Sequence, residues 1–258
     1  MLQRMRLDRS RPVVLVTGAS RQRGISSAVA LRLARDGWNV AITYWRGYDQ
    51  RMPWGSDAED LTRLELQLRR AGASTAAVEA DLADPAAPAQ IFATIEAQLN
   101  NVTALVLAHC ESVASGIMDT SLESFDRHFA VNARATWLLI REFAQRLEAE
   151  DGRGRIIGLT SDHVAGNLPY GASKGALDRI VLAAARELSH LGLTANVINP
   201  GATDTGWMTE AQMREFAQRV PLGRVGVPED CANLVSFLCS PQGGWINGQL
   251  LYSNGGVQ

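Results

Sequence analysis

A chain of 258 residues, 46% apolar and 20% charged, has the length and composition to bury one large α/β core. Its formal net charge of -2 excludes a nucleic-acid binder that works through a basic surface, and no apolar run approaches the roughly 18 residues of a membrane span. Cys110, Cys231 and Cys239 are odd in number and lack metal-ligand spacing, which reads as reduced thiols in a cytoplasmic protein without a metal centre.

The basic stretch Met1 to Arg11 runs straight into Val13-Val-Leu-Val16, without the longer apolar region and small-residue cleavage site of a signal peptide. Residues 1–11 read as a flexible extension and residues 12–258 as one domain. Short β-branched runs then alternate with helical patterns, which predicts a mainly parallel seven-stranded sheet covered by helices on both faces. Strands are expected at Val13–Thr17, Asn39–Tyr44, Thr75–Glu79, Ala104–Ala108, Arg155–Thr160, Thr194–Asn199 and Gln249–Tyr252. The helices between them are expected at Ile25–Asp36, Asp57–Ala71, Ala86–Leu99, Leu122–Glu150, Pro169–Leu191, Thr209–Val220 and Pro228–Cys239. Gly37, Gly72 and Gly192 follow helices as C-terminal caps. The patch Arg46–Ser56, with Trp45, Tyr48 and Trp54, is long for a strand-to-helix loop and suggests a cofactor or substrate role.

Three places carry chemistry. The first strand runs into Thr17-Gly-Ala-Ser-Arg-Gln-Arg-Gly24 and then a helix, a glycine turn that lets backbone N–H groups meet a pyrophosphate. The next strand ends in Tyr44-Trp45-Arg46 with no acid to grip a ribose 2′-hydroxyl. Arg21, Arg23 and Arg46 suit a 2′-phosphate instead, so NADP(H) is favoured and NAD(H) stays possible. Tyr170-Gly-Ala-Ser-Lys174 sets a phenol and an ammonium one helical turn apart. A buried ammonium there lowers the phenol pKa and makes a proton donor and acceptor for alcohol/carbonyl chemistry.

With these motifs in this order, the chain resembles the short-chain dehydrogenase/reductase family over almost its whole length. The resemblance implies a single-domain Rossmann-type three-layer fold, a nicotinamide cofactor and a catalytic set of Asn132, Ser161, Tyr170 and Lys174. It places Ser161 at the end of Arg155-Ile-Ile-Gly-Leu-Thr-Ser161, and Asn132 in Ala130-Val-Asn132 within the long helix. It implies that Ser161 binds the carbonyl oxygen, that Lys174 also bonds the nicotinamide ribose, and that Asn132 holds a proton-relaying water. Cofactor contacts carried over are Gly18, Ser20, Arg21, Gly24, Ile25 and Arg46 at the phosphate end, then Asp81, Leu82 and Ala108 around the adenine side. Tyr170 and Lys174 join Pro200, Gly201, Thr203 and Thr205, from Asn199-Pro-Gly-Ala-Thr-Asp-Thr205, at the nicotinamide. Pro221-Leu-Gly-Arg and Ile246-Asn-Gly-Gln with Asn254-Gly-Gly resemble the tail of the 3-oxoacyl-reductase-like branch. That branch implies a homotetramer, with a dimer next.

The departures are specific. The family loop TGxxxGxG is longer here between Gly18 and Gly24, and Ser26 replaces its third glycine, a Cβ that threatens to push the helix off the strand. Leu107-Ala-His-Cys110 takes the place of Asn-Asn-Ala-Gly, and His109 reads as a packed strand-end histidine or a ligand contact. The Ser161-to-Tyr170 segment is short, which predicts an open entrance. Carrier-protein-docking arginines of the branch have their places at Gly152 and Leu191, against carrier-protein specificity. Walls for a small-molecule substrate are expected from Glu111–Met118, Asp162–Leu168 and Thr205–Met213, with Trp207 and Met208 either lining it or packing as a lid. Three functions compete. The first is an NADP(H)-dependent carbonyl/alcohol oxidoreductase, a ketone or 3-oxoacyl-type reductase. The others are a nucleotide-binding homologue without turnover, acting as sensor or scaffold, and a sugar- or halohydrin-processing enzyme without nicotinamide. The complete four-residue set and the Pro-Gly loop favour the first.

Overall fold

The structure is a computed structural model that describes residues 11–147 and 154–257. Seven parallel strands form one sheet in the order β3-β2-β1-β4-β5-β6-β7. They are β1 (Val13–Val16), β2 (Asn39–Tyr44), β3 (Thr75–Glu79), β4 (Val102–Leu107), β5 (Arg155–Leu159), β6 (Thr194–Asn199) and β7 (Leu250–Tyr252). The helices are α1 (Ile25–Arg35), α2 (Arg46–Asp49), α3 (Ala58–Arg70), α4 (Ala87–Gln98), α5 (Leu122–His128), α6 (Ala135–Arg146), α7 (Leu168–Glu187), α8 (Glu210–Arg219) and α9 (Pro228–Cys239).

Strand side chains alternate between two cores, as a period of two requires. Val13 and Leu15 of β1 join Leu105 and Leu107 of β4 in a core closed by Phe92, Phe143 and Val181. Val14 and Val16 meet Ala104 and Val106 in the opposite core, closed by Val29, Leu33, Leu68 and Val235. The fold is therefore the expected three-layer α/β arrangement. Ser26 is buried, yet Val29 and Leu33 one and two turns on are fully buried against the sheet, so its Cβ does not lift α1.

Two expectations change. The helix predicted over Leu122–Glu150 is interrupted after α5 by a π-helical stretch, Phe129–Arg134, before it resumes as α6; residues 148–150 lie outside the described residues. The irregular patch Arg46–Ser56 contains a short helix, α2, followed by turns. Residues 1–10 of the predicted extension also lie outside the described residues, while Arg11 donates from Nη1 to Gly72 O at 2.8 Å. The adjacency of β1 to both β2 and β4 makes the carboxyl ends of these strands a topological switch point, where open α/β sheets leave a crevice.

Candidate active site

That crevice is a cleft of about 510 Å³ running along the carboxyl ends of the strands. At one end Gly18 follows β1 at φ +75, and a Cβ there would lie 2.7 Å from His109 Cα. The lengthened turn closes on itself: Gly24 N and Ser27 Oγ both donate to Arg21 O, at 3.1 and 2.6 Å. Helix α1 then starts with no side-chain cap and no acid in its first turn, so its N-terminal N–H groups and positive dipole end face the cleft. Gly18, Ser20, Arg21, Gly24 and Ile25 all line it.

Arg46 does not. The register pairs Tyr44 of β2 with Glu79 of β3, which sets the Glu79 carboxylate beside the strand end, and the Arg46 guanidinium ion-pairs with it. The bond raises the Arg46 pKa and lowers that of Glu79. Arg23 is likewise paired, with Asp204 at 2.9 Å. Both guanidiniums expected to face a 2′-phosphate thus sit against carboxylates at the surface. Asp81 and Leu82 also line the cleft, with Asp81 held by Arg127 at 3.0 Å.

At the end of β4, Ala108 lines the cleft and His109 turns inward, 4% exposed. His109 Nε2 lies 3.0 Å from Val131 O and Nδ1 2.7 Å from Thr17 Oγ1. A carbonyl only accepts, so Nε2 carries the proton and Nδ1 accepts from the Thr17 hydroxyl. Burial, then Lys174, push His109 down to about 3. It is packed at the strand end and also lines the cleft. Between pH 6.5 and 3 the unfolded chain takes up a proton that folded His109 refuses. Stability should therefore fall as pH drops through that window and owe nothing to His109 above it. Urea unfolding from pH 7 to 4 should show a slope shallower by up to about 1.4 kcal/mol per pH unit in His109→Asn; an unchanged slope contradicts this reading.

Asn132 sits in the π-helical stretch, fully buried, and does not line the cleft. Its Nδ2 donates to Glu111 O at 2.9 Å and to Ser173 Oγ at 2.8 Å, while its Oδ1 accepts from Glu111 N at 2.7 Å. Both amide protons are engaged by protein partners. What the side chain does is clamp the loop after β4 to α7. A π bulge at such a site is a recurrent device.

Lys174 and Tyr170 lie one turn apart on α7, with Nζ 5.9 Å from the ring centre. Nζ donates to Leu159 O at 2.8 Å and His109 O at 3.4 Å. Burial lowers the Lys174 pKa, with Cys110 and Asp178 opposing. Burial also raises the Tyr170 pKa, reinforced by Cys110 and opposed by the hydrogen bond to Ser161. The phenol therefore shifts opposite to the sequence expectation, because its desolvation dominates. Ser161 lies at the end of β5 with His163 N donating to its Oγ at 3.2 Å. Ser161, Tyr170 and Lys174 share the cleft wall with Pro200, Gly201, Thr203 and Thr205 from the turn after β6.

Trp207 and Met208 line the cleft together with Phe216 of α8. Ser112 and Asn167 line the cleft from within the expected wall segments Glu111–Met118 and Asp162–Leu168, and Asp49 from within the patch Arg46–Ser56; Thr43 and Val131 also line it and carried no sequence signal. Asn167, where the segment after Ser161 ends, donates from Nδ2 to Ser112 Oγ at 3.2 Å, closing one flank while residues 162–166 stay exposed. No sequence signal marks such a contact, because its partners come from different loops.

A fold of this topology, with a glycine turn at the switch point and a Tyr-Lys pair across the cleft, defines a dinucleotide-type α/β oxidoreductase. Comparison with known proteins agrees. A family model described as enoyl-(acyl carrier protein) reductase matches residues 18–258. The chain is 34% identical over 249 residues to an uncharacterized oxidoreductase, YjdA, of Bacillus subtilis, covering 95% of this chain and 96% of that protein. It is 33% identical over 256 residues to a chloroplastic NADPH-dependent aldehyde reductase-like protein of Arabidopsis thaliana, covering 95% and 93%. The solved structure of a short-chain dehydrogenase/reductase from Serratia marcescens superposes with a TM-score of 0.84 at 31% identity, covering 95% of this chain and 97% of that one. The chain belongs to the short-chain dehydrogenase/reductase family, oxidoreductases acting on CH–OH and carbonyl groups.

Among the described residues no helix is long and apolar enough to cross a membrane, and no group of three or more His, Cys, Asp or Glu could hold a metal ion.

Proposed function

We propose that the protein is an NADP(H)-dependent reductase that converts a ketone or 3-oxoacyl-type carbonyl to a secondary alcohol. The observation that carries this is the phenol of Tyr170, which shares a cleft wall with Ser161 and lies one turn from Lys174, at one end of a cleft whose other end is the Gly18 turn. The residues fit a nicotinamide dinucleotide. A side chain at residue 18 would collide with His109, so the turn is kept bare, and the uncapped α1 N-terminus offers N–H donors to a diphosphate. The carboxylate beside the Tyr44-Trp45-Arg46 strand end, Glu79, is taken up by Arg46 and does not line the cleft, which leaves no acid there for a ribose 2′-hydroxyl and supports NADP(H) over NAD(H); the Arabidopsis relative's name points the same way.

When bound, the reduced nicotinamide supplies a hydride to the carbonyl carbon. Tyr170 gives its proton to the developing alkoxide, a task suited to a phenol that burial keeps protonated. Ser161 donates a hydrogen bond to the same oxygen and stabilises charge as it appears. Lys174 holds a positive charge close by, fixed by Leu159 O and His109 O. Asn132 is a positioning residue, since it touches Glu111 and Ser173 and not the cleft. Three unpaired thiols support a cytoplasmic location. The exposed Trp137 on α6, with Trp245 and Tyr252 at the β7 edge, supports a homotetramer, or failing that a dimer.

Fluorescence titration should show NADPH binding about tenfold tighter than NADH, and NADPH absorbance should fall with members of a ketone panel. Because the raised phenol stays protonated, reduction should be flat from pH 6 to 8. Alcohol oxidation, which needs the phenolate, should climb with pH across the same range. Binding with no turnover of any ketone would favour the sensor reading, and no binding would leave neither.

A further inference from the structure

We propose that residues 45–55, between β2 and α3, form a strap across the cleft that holds the dinucleotide beneath it and limits its release; this rests on the nicotinamide-dinucleotide reading. Strand-to-helix loops in such sheets are commonly about 2–6 residues, so this segment is long for its job. It is also anchored at three separate loops. At the glycine turn, Arg21 lies over the Trp54 ring, 4.4 Å from its centre. Trp54 Nε1 donates to the buried Asp49 at 2.9 Å, and Asp49 Oδ1 is 3.8 Å from Arg21 Nε. At the loop after β4, the Tyr48 hydroxyl donates to Ser112 O at 3.3 Å and Arg51 ion-pairs with the buried Glu111 at 3.0 Å. At the loop after β6, Trp54 meets Trp207 with ring centres 4.7 Å apart.

These anchors belong to the ends of β1, β4 and β6, while the strap itself leaves from β2. In the sheet order β2-β1-β4-β5-β6 it reaches laterally over the switch point, and Trp45, Tyr48 and Asp49 line the cleft from the strap side. A dinucleotide laid from the Gly18 turn toward Tyr170 runs along the strand ends that the strap crosses. Every tie is an ion pair, a hydrogen bond or a ring contact, so the strap can open without unfolding the sheet. Entry and exit of the dinucleotide then require these ties to break together, whereas a small substrate reaches Tyr170 past the exposed residues 162–166.

Stopped-flow displacement of bound NADPH, followed by its fluorescence, tests this. Trp54→Ala, which removes the contacts to Arg21, Asp49 and Trp207, should speed NADPH release at least tenfold, and Arg51→Met, which removes the strap's tie to Glu111 while Glu111 keeps Arg127 at 3.2 Å, severalfold. Association should change less than release in both. Melting curves within a few degrees of the unaltered protein confirm that each variant is folded. The two substitutions strike different anchors, so a folding failure in one leaves the other decisive. Release at the unaltered rate from a folded variant overturns the strap while leaving the cofactor reading intact. An unaltered protein that binds no NADPH overturns both.

Discussion

Tyr170→Phe should lower ketone reduction by about 10²–10⁴-fold, the range removed with a general acid, while NADPH binding stays within about twofold. The ring is retained, so its packing beside His163 and Lys174 persists and only the hydroxyl is lost. The separation of the two readouts is the point. A substitution that merely loosened α7 would weaken binding as well, because Lys174 lies on the same helix and bonds the strand end at Leu159 O. Single-turnover mixing of the variant with NADPH and a reactive ketone measures the chemical step directly. Turnover within a few-fold of the unaltered protein would remove Tyr170 from the acid's role.

The second large effect concerns the phosphate end. Gly18→Ala should weaken NADPH binding by about 100-fold or more and lower stability by about 1–3 kcal/mol. Two costs combine. The backbone at φ +75 is one that a side chain disfavours, and the new Cβ would sit 2.7 Å from His109 Cα, which is backbone and has nowhere to go. His109 is itself pinned between Thr17 and Val131, so the strain passes into the β1–β4 junction. Gly24→Ala is the contrast. Its φ is -78, and the nearest atom to an added Cβ is Arg21 O at 3.2 Å, so it should cost much less in both measurements. Equal losses at the two positions, read by thermal melting and NADPH titration, would mean that the turn is not the cradle described.

The contrast also shows what the amino-acid order made legible. The β-branched run Val13–Val16 and the helical spacing around Val29 and Leu33 are local properties, and the strands and helices drawn from them match closely. Asp57 and Thr209, expected as first helical residues, instead cap α3 and α8 by accepting from Glu59 N and Gln212 N. Tyr170 and Lys174 were visible as a pair because four residues make one helical turn. What a side chain bonds across the sheet was not visible. Arg46 has the right charge at the right strand end, but the β2–β3 register hands it Glu79. Asn132 has the right place in the chain, but its amide is engaged by the Glu111 backbone and Ser173, partners far away in sequence. The π-helical stretch around it has no compositional mark. The Tyr170 shift went the other way because its sign depends on the balance between burial and the distance to Lys174, and spacing along a helix reports neither.

The strand order has a consequence for how the molecule is made. β1 precedes the other six described strands in the chain, yet one of its two neighbours, β4, is not synthesised until Leu107, and the wholly parallel sheet contains no hairpin through which adjacent strands could pair early. Until then the nascent chain carries Val13–Val16 with one side unsatisfied, an adhesive edge that other incomplete chains can recruit. The join that creates the crevice thus spans the longest stretch of chain of any pair of neighbouring strands in the sheet, the kind of long-range pairing that costs most loop-closure entropy.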